Sequence, residues 1–211
     1  MAWAGDDVSV VIQGPVHGAP NDPPERQLTR EAIASARRAW PGCQVIVSTW
    51  SNADVSNLQP DRMVLNLDPG AVPLNDSPNN RLFNNLNRQI VSTRAGLAVA
   101  ERSWAIKLRS DCALECPADF ASLVLPVGAS PWKLFDDRVV ILSTFTRNPL
   151  RRPLLYHASD LFQAGRRQDL VAIWSAALVE EPHFTRWLQP GRMPAINALT
   201  SEYLFRCAPE Q

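Results

Sequence analysis

The first ordered feature is Val8 to Ile12 (VSVVI), an apolar, β-branched stretch closed by Gln13-Gly14-Pro15. Such a run, stopped by turn residues, predicts a strand buried on both faces. At Asp22-Pro23-Pro24-Glu25 the signal changes to a helix start, with Asp22 as cap, Pro23 in the first position and Glu25 at the capping-box place. Leu28, Ala32, Ile33, Ala36 and Trp40 then recur at helical spacing until Pro41-Gly42 ends the element. Gln44 to Thr49 (QVIVST) and Arg62 to Leu67 (RMVLNL) predict two more strands, and Asp68-Pro69-Gly70 turns the chain after the second. Residues 70–80, rich in Pro, Asn and Asp, are expected as a loop. A long helix is expected from about Asn80 to Glu101, burying Leu86, Ile90, Leu97 and Ala98 and turning Asn85, Arg88, Gln89 and Ser92 outward. Trp104 to Leu108 (WAIKL) is a fourth strand, running into Arg109-Ser110-Asp111. Beyond Pro126 the pattern loosens. Arg138 to Phe145 is expected as a strand, Arg147 to Pro153 as a loop and Leu161 to Leu178 as mostly helix, while 181–211 carry no clear period.

Strands alternating with helices in this way predict an α/β sandwich with a mainly parallel central sheet. With 211 residues, no repeat and no linker-like tract, the whole of 1–211 is expected to be a single domain. Composition changes the picture only by exclusion. An apolar fraction of 45% and a charged fraction of 20% remove disorder, collagen and coiled coil. Equal basic and acidic counts of 21 leave no positive excess, so nucleic acid is not an expected partner. Two lysines, Lys107 and Lys133, leave 19 arginines among the 21 basic residues. Guanidinium forks suit phosphate or carboxylate groups, and a compositional bias of the genome explains the same imbalance. Met1 to Asp7 has two acids and no basic start, no stretch approaches the ~20 apolar residues of a membrane span, and the four cysteines lack a CxxC pair. A reducing, cytoplasmic setting follows, with at most peripheral contact with the inner face of the membrane.

In open α/β sheets ligands bind beyond the carboxyl ends of the strands. Those exits are Gln13-Gly14-Pro15, Ser48-Thr49-Trp50, Asp68-Pro69-Gly70 and Arg109-Ser110-Asp111. Turn chemistry explains Gly, Pro and Asp at any one of them, but together they offer aromatic and polar groups for a base, a ribose and phosphates. Lys107, Arg109 and Asp111 alternate along the fourth strand, so the period of two places them on one face, opposite Ile106 and Leu108. Such a row is costly unless paired or facing a ligand. Either an internal salt-bridge row or a phosphate and cation site fits, with Asp111 placed to hold a divalent cation. Asn84 to Gln89 (NNLNRQ) crowds amide and guanidinium groups into one helical turn, where Arg88 can grip a phosphate, and a solvated helix face explains Asn84 and Gln89 equally well. His157 and Asp160 in YHASD are a candidate metal ligand and base, with helix capping as the plain alternative for Asp160. Glu202 is a second candidate base. No GxGxxG, GxxxxGK[ST], HExxH or GxSxG occurs.

Taken in order, VVIQGPV, the Arg-x-x-x-Pro-Gly turn before VIVSTW, LDPG, the helix NNLNRQIVST-x-x-GL, KLRSD, TRNP and HxSDxxxxG resemble the WavE lipopolysaccharide-synthesis family. The resemblance implies a Rossmann-like, GT-A-like domain that moves a sugar from a nucleoside diphosphate sugar to a saccharide or lipid-linked acceptor. It implies that Gln13, Gly14, Thr49 and Trp50 line the base and ribose, that Arg88, Lys107 and Arg109 offset the diphosphate charge, and that Pro15, Asp68 and Asn85 belong to the same nucleotide site. Asp111 with His157 would hold Mn²⁺ or Mg²⁺, and Asp160 or Glu202 would take the acceptor proton. The usual Asp-x-Asp reads Arg109-Ser110-Asp111 here, with only its last acid present. Two other functions remain open: a nucleotide-sugar-binding module without turnover, and a sugar nucleotidyltransferase.

Overall fold

The computed structural model describes residues 3–73, 83–115, 128–129, 133, 135–146 and 158–179. In chain order they form β1 (Val8–Gln13), α1 (Leu28–Ala39), β2 (Gln44–Trp50), β3 (Arg62–Asn66), β4 (Val72–Pro73), β5 (Phe83–Asn84), α2 (Leu86–Ala98), β6 (Trp104–Arg109), β7 (Val140–Ile141), β8 (Phe162–Arg166) and α3 (Arg167–Trp174). Six strands make one sheet in the order β3-β2-β1-β6-β8-β7. β3, β2, β1 and β6 run parallel, β8 is antiparallel to β6, and β7 is antiparallel to β8. β4 and β5 pair separately as a short antiparallel ladder. The protein is thus an α/β fold on a mainly parallel, Rossmann-like sheet.

Every residue of β1 and β2 is buried, as their unbroken apolar runs predict. The period of two divides their side chains between two cores. Val8, Val10, Ile12, Val45, Val47, Ile106 and Leu108 face α1, whose Ala32, Ile33 and Ala36 close that side. Val11, Ile46 and Ala105 face the other way, against Leu86, Ile90 and Leu97 of α2 and Leu170, Ile173 and Trp174 of α3. Each fully buried aliphatic side chain contributes roughly 1.5–3 kcal/mol relative to exposure. Gly96 sets how closely α2 approaches: a Cβ there would lie 2.4 Å from Val11 Cγ1 and 3.2 Å from Ser48 Cβ.

Four expectations are corrected. The first helix starts at Leu28, not at Pro23, after a separate 3-10 turn at Pro24–Arg26. Pro24 holds Pro23 extended (φ −62°, ψ 151°), and Asp22 turns back to accept the Ala19 N–H at 2.8 Å instead of capping. The second helix begins at Leu86 and ends at Ala98, which is exposed, while Ser92 of the supposed outer face is fully buried. The strand expected over Arg138 to Phe145 is reduced to β7, and Phe145 adopts a φ of 64°. The long helix expected from Leu161 is β8 followed by the short α3. Phe162 and Ala164 enter the α1-side core while Gln163 on the opposite face accepts the Trp174 indole N–H at 2.8 Å. The free edge of β6 needs a partner strand, and that ladder outweighs the local helical spacing. The loop expected over Arg147 to Pro153 and the tail 181–211 lie outside the described residues.

Candidate functional site

The strand order reverses between β1 and β6, because β2 and β3 continue to one side of β1 while β6 lies on the other. At that switch point the carboxyl ends of the strands leave a crevice, the usual ligand position in such sheets. Here it is a cavity of about 390 Å³.

Its floor is a local device of the two strand exits. Gly14 leaves β1 at a φ of +123°, and a Cβ there would sit 2.8 Å from Ser110 Oγ. That space lets the exits of β1 and β6 interlock: the Ser110 N–H donates to Gln13 O at 2.9 Å and its hydroxyl to Pro15 O at 2.7 Å. The Gln13 side chain is positioned from α2, where the Ser92 hydroxyl lies 2.8 Å from Gln13 Oε1 and 2.7 Å from Arg88 O. Trp50, at the end of β2, adds an aromatic wall. Asn85, Arg88 and Gln89 come from the start of α2, so the positive end of that helix opens on the same space.

Both arginines of the cavity are held by its two carboxylates. Arg88 donates from Nε to Asp68 Oδ1 at 2.7 Å and from Nη2 to Asp68 Oδ2 at 2.6 Å, with Nη1 on Asn85 Oδ1 at 2.9 Å. Arg109 donates from Nε to Asp111 Oδ1 at 2.9 Å and from Nη2 to Asp111 Oδ2 at 2.5 Å. The Arg88 guanidinium holds the Asp68 carboxyl below the usual carboxylate range. For Asp111, partial burial pushes the carboxyl up, but the Arg109 hydrogen bond and charge outweigh it and the net direction is down.

Lys107 is fully buried two residues deeper along β6. Its ammonium donates to the Asp160 carbonyl and stands 5.1 Å from the centre of the Trp174 ring. Burial lowers its pKa from 10.5 to about 8, a shift that the Asp160 charge only partly opposes. The same segment is tied to β6 through the Arg109 N–H, which donates to Leu161 O at 3.1 Å. Asp160 is therefore close enough to act electrostatically on both Lys107 and Arg109.

Of the eleven residues expected to hold a nucleotide, Gln13, Gly14, Pro15 and Trp50 line the cavity from the ends of β1 and β2, Asp68 from beyond β3, Asn85 and Arg88 from the start of α2, and Arg109 and Asp111 from the end of β6. Thr49 and Lys107 do not. Thr49 alternates with Trp50, so its side chain points to the α1 side, where its buried hydroxyl has no hydrogen-bond partner. Lys107 shares the face of Arg109, as its spacing predicts, but is too deep in the sheet to reach the opening. His157 and Glu202 lie outside the described residues. His17, Gln89 and Ser110 line the cavity without having been expected. Gln89 and Ser110 stood inside motifs already singled out, whereas His17 sits in a loop with no period to mark it.

The donor set suits a divalent cation poorly. Both Asp111 oxygens are engaged by Arg109 and both Asp68 oxygens by Arg88, and no group of three His, Cys, Asp or Glu side chains comes together among the described residues. Hard cations need several oxygen ligands free of competing cations.

No curated protein matches the chain. Among solved structures, 4-diphosphocytidyl-2C-methyl-D-erythritol synthase from Anaerococcus prevotii is similar at 12% identity, over 97% of this chain and 87% of that one, with a TM-score of 0.45. The family model for WavE lipopolysaccharide synthesis matches residues 8–202. Over almost its whole length, including every strand that contributes to the cavity, the chain belongs to the WavE lipopolysaccharide synthesis family.

Proposed function

We propose that the protein is a glycosyltransferase of bacterial surface-polysaccharide synthesis, and that the cavity between the β1 and β6 exits takes the nucleoside diphosphate of the donor sugar. One observation carries this reading: at the switch point of the sheet a single cavity gathers an aromatic wall (Trp50), carboxamides (Gln13, Asn85, Gln89) and two guanidiniums (Arg88, Arg109). Family membership supplies the pathway, since lipopolysaccharide synthesis requires sugars to be transferred. In the reaction proposed, an acceptor hydroxyl oxygen attacks the anomeric carbon. The bond from that carbon to the diphosphate oxygen breaks, and the nucleoside diphosphate leaves against Arg88 and Arg109, which offset its charge. The acceptor proton goes to the Asp160 carboxylate, or to Glu202 if that residue stands nearer the hydroxyl. A nucleotidyltransferase would have to bind a triphosphate and expel pyrophosphate, yet Gln13 to Pro20 contains no Lys or Arg to receive it.

The experiment is a thermal-shift panel with UDP, GDP, CDP, ADP and dTDP, followed by a transfer assay with the sugar nucleotide of the base that binds. A ligand bound only by the native state raises the melting temperature, by about 2.7 kcal/mol of stabilisation at one hundred times its Kd. A shift with one base and product formation support the transferase. A shift without product leaves a binding module, and no shift with any nucleotide sinks the reading.

A further inference from the structure

We propose that Asp111 is the residue that aims Arg109, not a metal ligand, and that the cavity grips its diphosphate through Arg109 without a divalent cation. The inference rests on the nucleotide-site reading above and deepens it.

A guanidinium has five N–H donors in a planar fork. Asp111 occupies one edge of Arg109, the side formed by Nε and Nη2. The other edge, two protons on Nη1 and the second proton on Nη2, is left to donate, and that edge matches two oxygens of a phosphate. The side-on fork therefore fixes the plane and direction of the guanidinium without using the face that a phosphate needs. The backbone beneath it is fixed as well, by the Arg109 N–H on Leu161 O and by the Ser110 N–H on Gln13 O. Arg88 repeats the arrangement on Asp68, with Asn85 bracing Nη1.

A cation on Asp111 would have to displace Arg109 or sit beside it on the remaining lone pairs. Displacement breaks two charge-assisted hydrogen bonds, and the second arrangement places like charges in contact. Among the described residues the cavity supplies no further carboxylate to compensate, because Asp68 is engaged in the same way. For a diphosphate the balance is opposite. It meets two oriented guanidiniums and the positive end of α2, and no existing ion pair has to open.

The test is isothermal titration of the full chain with the nucleoside diphosphates named above, first in EDTA and then with excess Mn²⁺ or Mg²⁺, for the wild type, Arg109→Lys and Asp111→Asn. One diphosphate is expected to bind in EDTA, with a metal effect of no more than about threefold. Arg109→Lys is expected to weaken binding in EDTA roughly tenfold or more, because a single ammonium cannot serve both Asp111 and the phosphate as a fork does. Asp111→Asn is expected to weaken it in EDTA by a smaller factor, since the amide oxygen keeps one of the two bonds. Circular-dichroism melts establish that each variant is folded, and the wild-type comparison needs no variant. Binding that vanishes in EDTA and returns with metal, with Asp111→Asn removing only that metal response, overturns the inference. No binding of any nucleotide in either condition overturns the nucleotide-site reading and the inference with it, a result distinct from metal-dependent binding.

Discussion

A carboxylate can serve a site by touching the ligand or by holding another group in place, and in the cavity Asp111 holds the Arg109 guanidinium. Asp111 spends both oxygens on Arg109, whereas Asp160 uses its backbone carbonyl, which accepts from Lys107. The Asp160 backbone is thereby anchored, while its carboxylate, the base of the reading proposed above, acts electrostatically on Lys107 and Arg109. Asp160→Asn is expected to leave nucleoside diphosphate binding unchanged and to lower transfer by about 10²–10⁴-fold, the usual effect of losing a positioned base. Parallel titrations and turnover assays check both halves. A variant with full transfer activity moves the base to Glu202. The alternation of Lys107, Arg109 and Asp111 was legible in the sequence, and so was their shared face. Depth was not: periodicity assigns a side, while the distance of each residue from the end of its strand depends on where β1 and β8 pair with β6.

At the scale of elements, α2 joins the stability of the sheet to the shape of the cavity. Its Leu86, Ile90 and Leu97 pack on the sheet, and Asn85, Arg88 and Gln89 at its start line the pocket. The close approach is made at Gly96, against Val11 and Ser48 of the strands below. Gly96→Ala inserts a methyl where 2.4 Å separates its Cβ from Val11 Cγ1. The helix has to shift, and a loss of about 1–3 kcal/mol is expected. Urea unfolding measures the loss, and nucleotide titration should show weaker binding as well, because the shift carries Arg88 away from Asp68. Unchanged stability would mean that the helix is seated elsewhere. The presence of α2 was evident from its apolar spacing, whereas its true start was hidden because the chain enters it from a two-residue strand, where Asn84 Oδ1 accepts the Leu86 N–H at 2.5 Å in an Asx-type turn.

At the scale of the whole molecule, Lys107 makes stability depend on pH in an identifiable direction. Its folded pKa of about 8 lies below the ordinary 10.5, so between those values the unfolded chain binds more protons than the native one. Stability from this group therefore rises with pH through that window, because a buried charge is being removed. Relative to Lys107→Met, the wild type is expected to become more stable by about 1–2 kcal/mol between about pH 7 and about pH 9.5. Cys43 acts in the opposite sense. Burial, helped by the Asp61 charge, raises its thiol from 9.0 to about 11, and the stability it contributes is lost as pH rises through that range. Both proteins contain Cys43, so the comparison cancels it. Equal pH slopes for the two, measured by denaturant unfolding, would show that the ammonium is not buried in its charged form. Among the described residues no helix is long and apolar enough to cross a membrane.

The sequence by itself determined where the buried strands β1, β2 and β6 would form and that the helices α1 and α2 would follow β1 and β3, though not where each helix begins, because apolar runs and periods of 2 and 3.6 are properties of neighbouring residues. It also determined which residues leave those strands, and so which were available at the crevice. The tertiary structure decided that Phe162 to Arg166 would extend the sheet, that Lys107 would be enclosed under Trp174, and that Arg88 would be claimed by Asp68. Each of these depends on a partner distant in the chain: an unpaired edge of β6, the ring of α3, or Asp68 twenty residues from Arg88. Local spacing records what a residue can do, and the fold selects what stands opposite it.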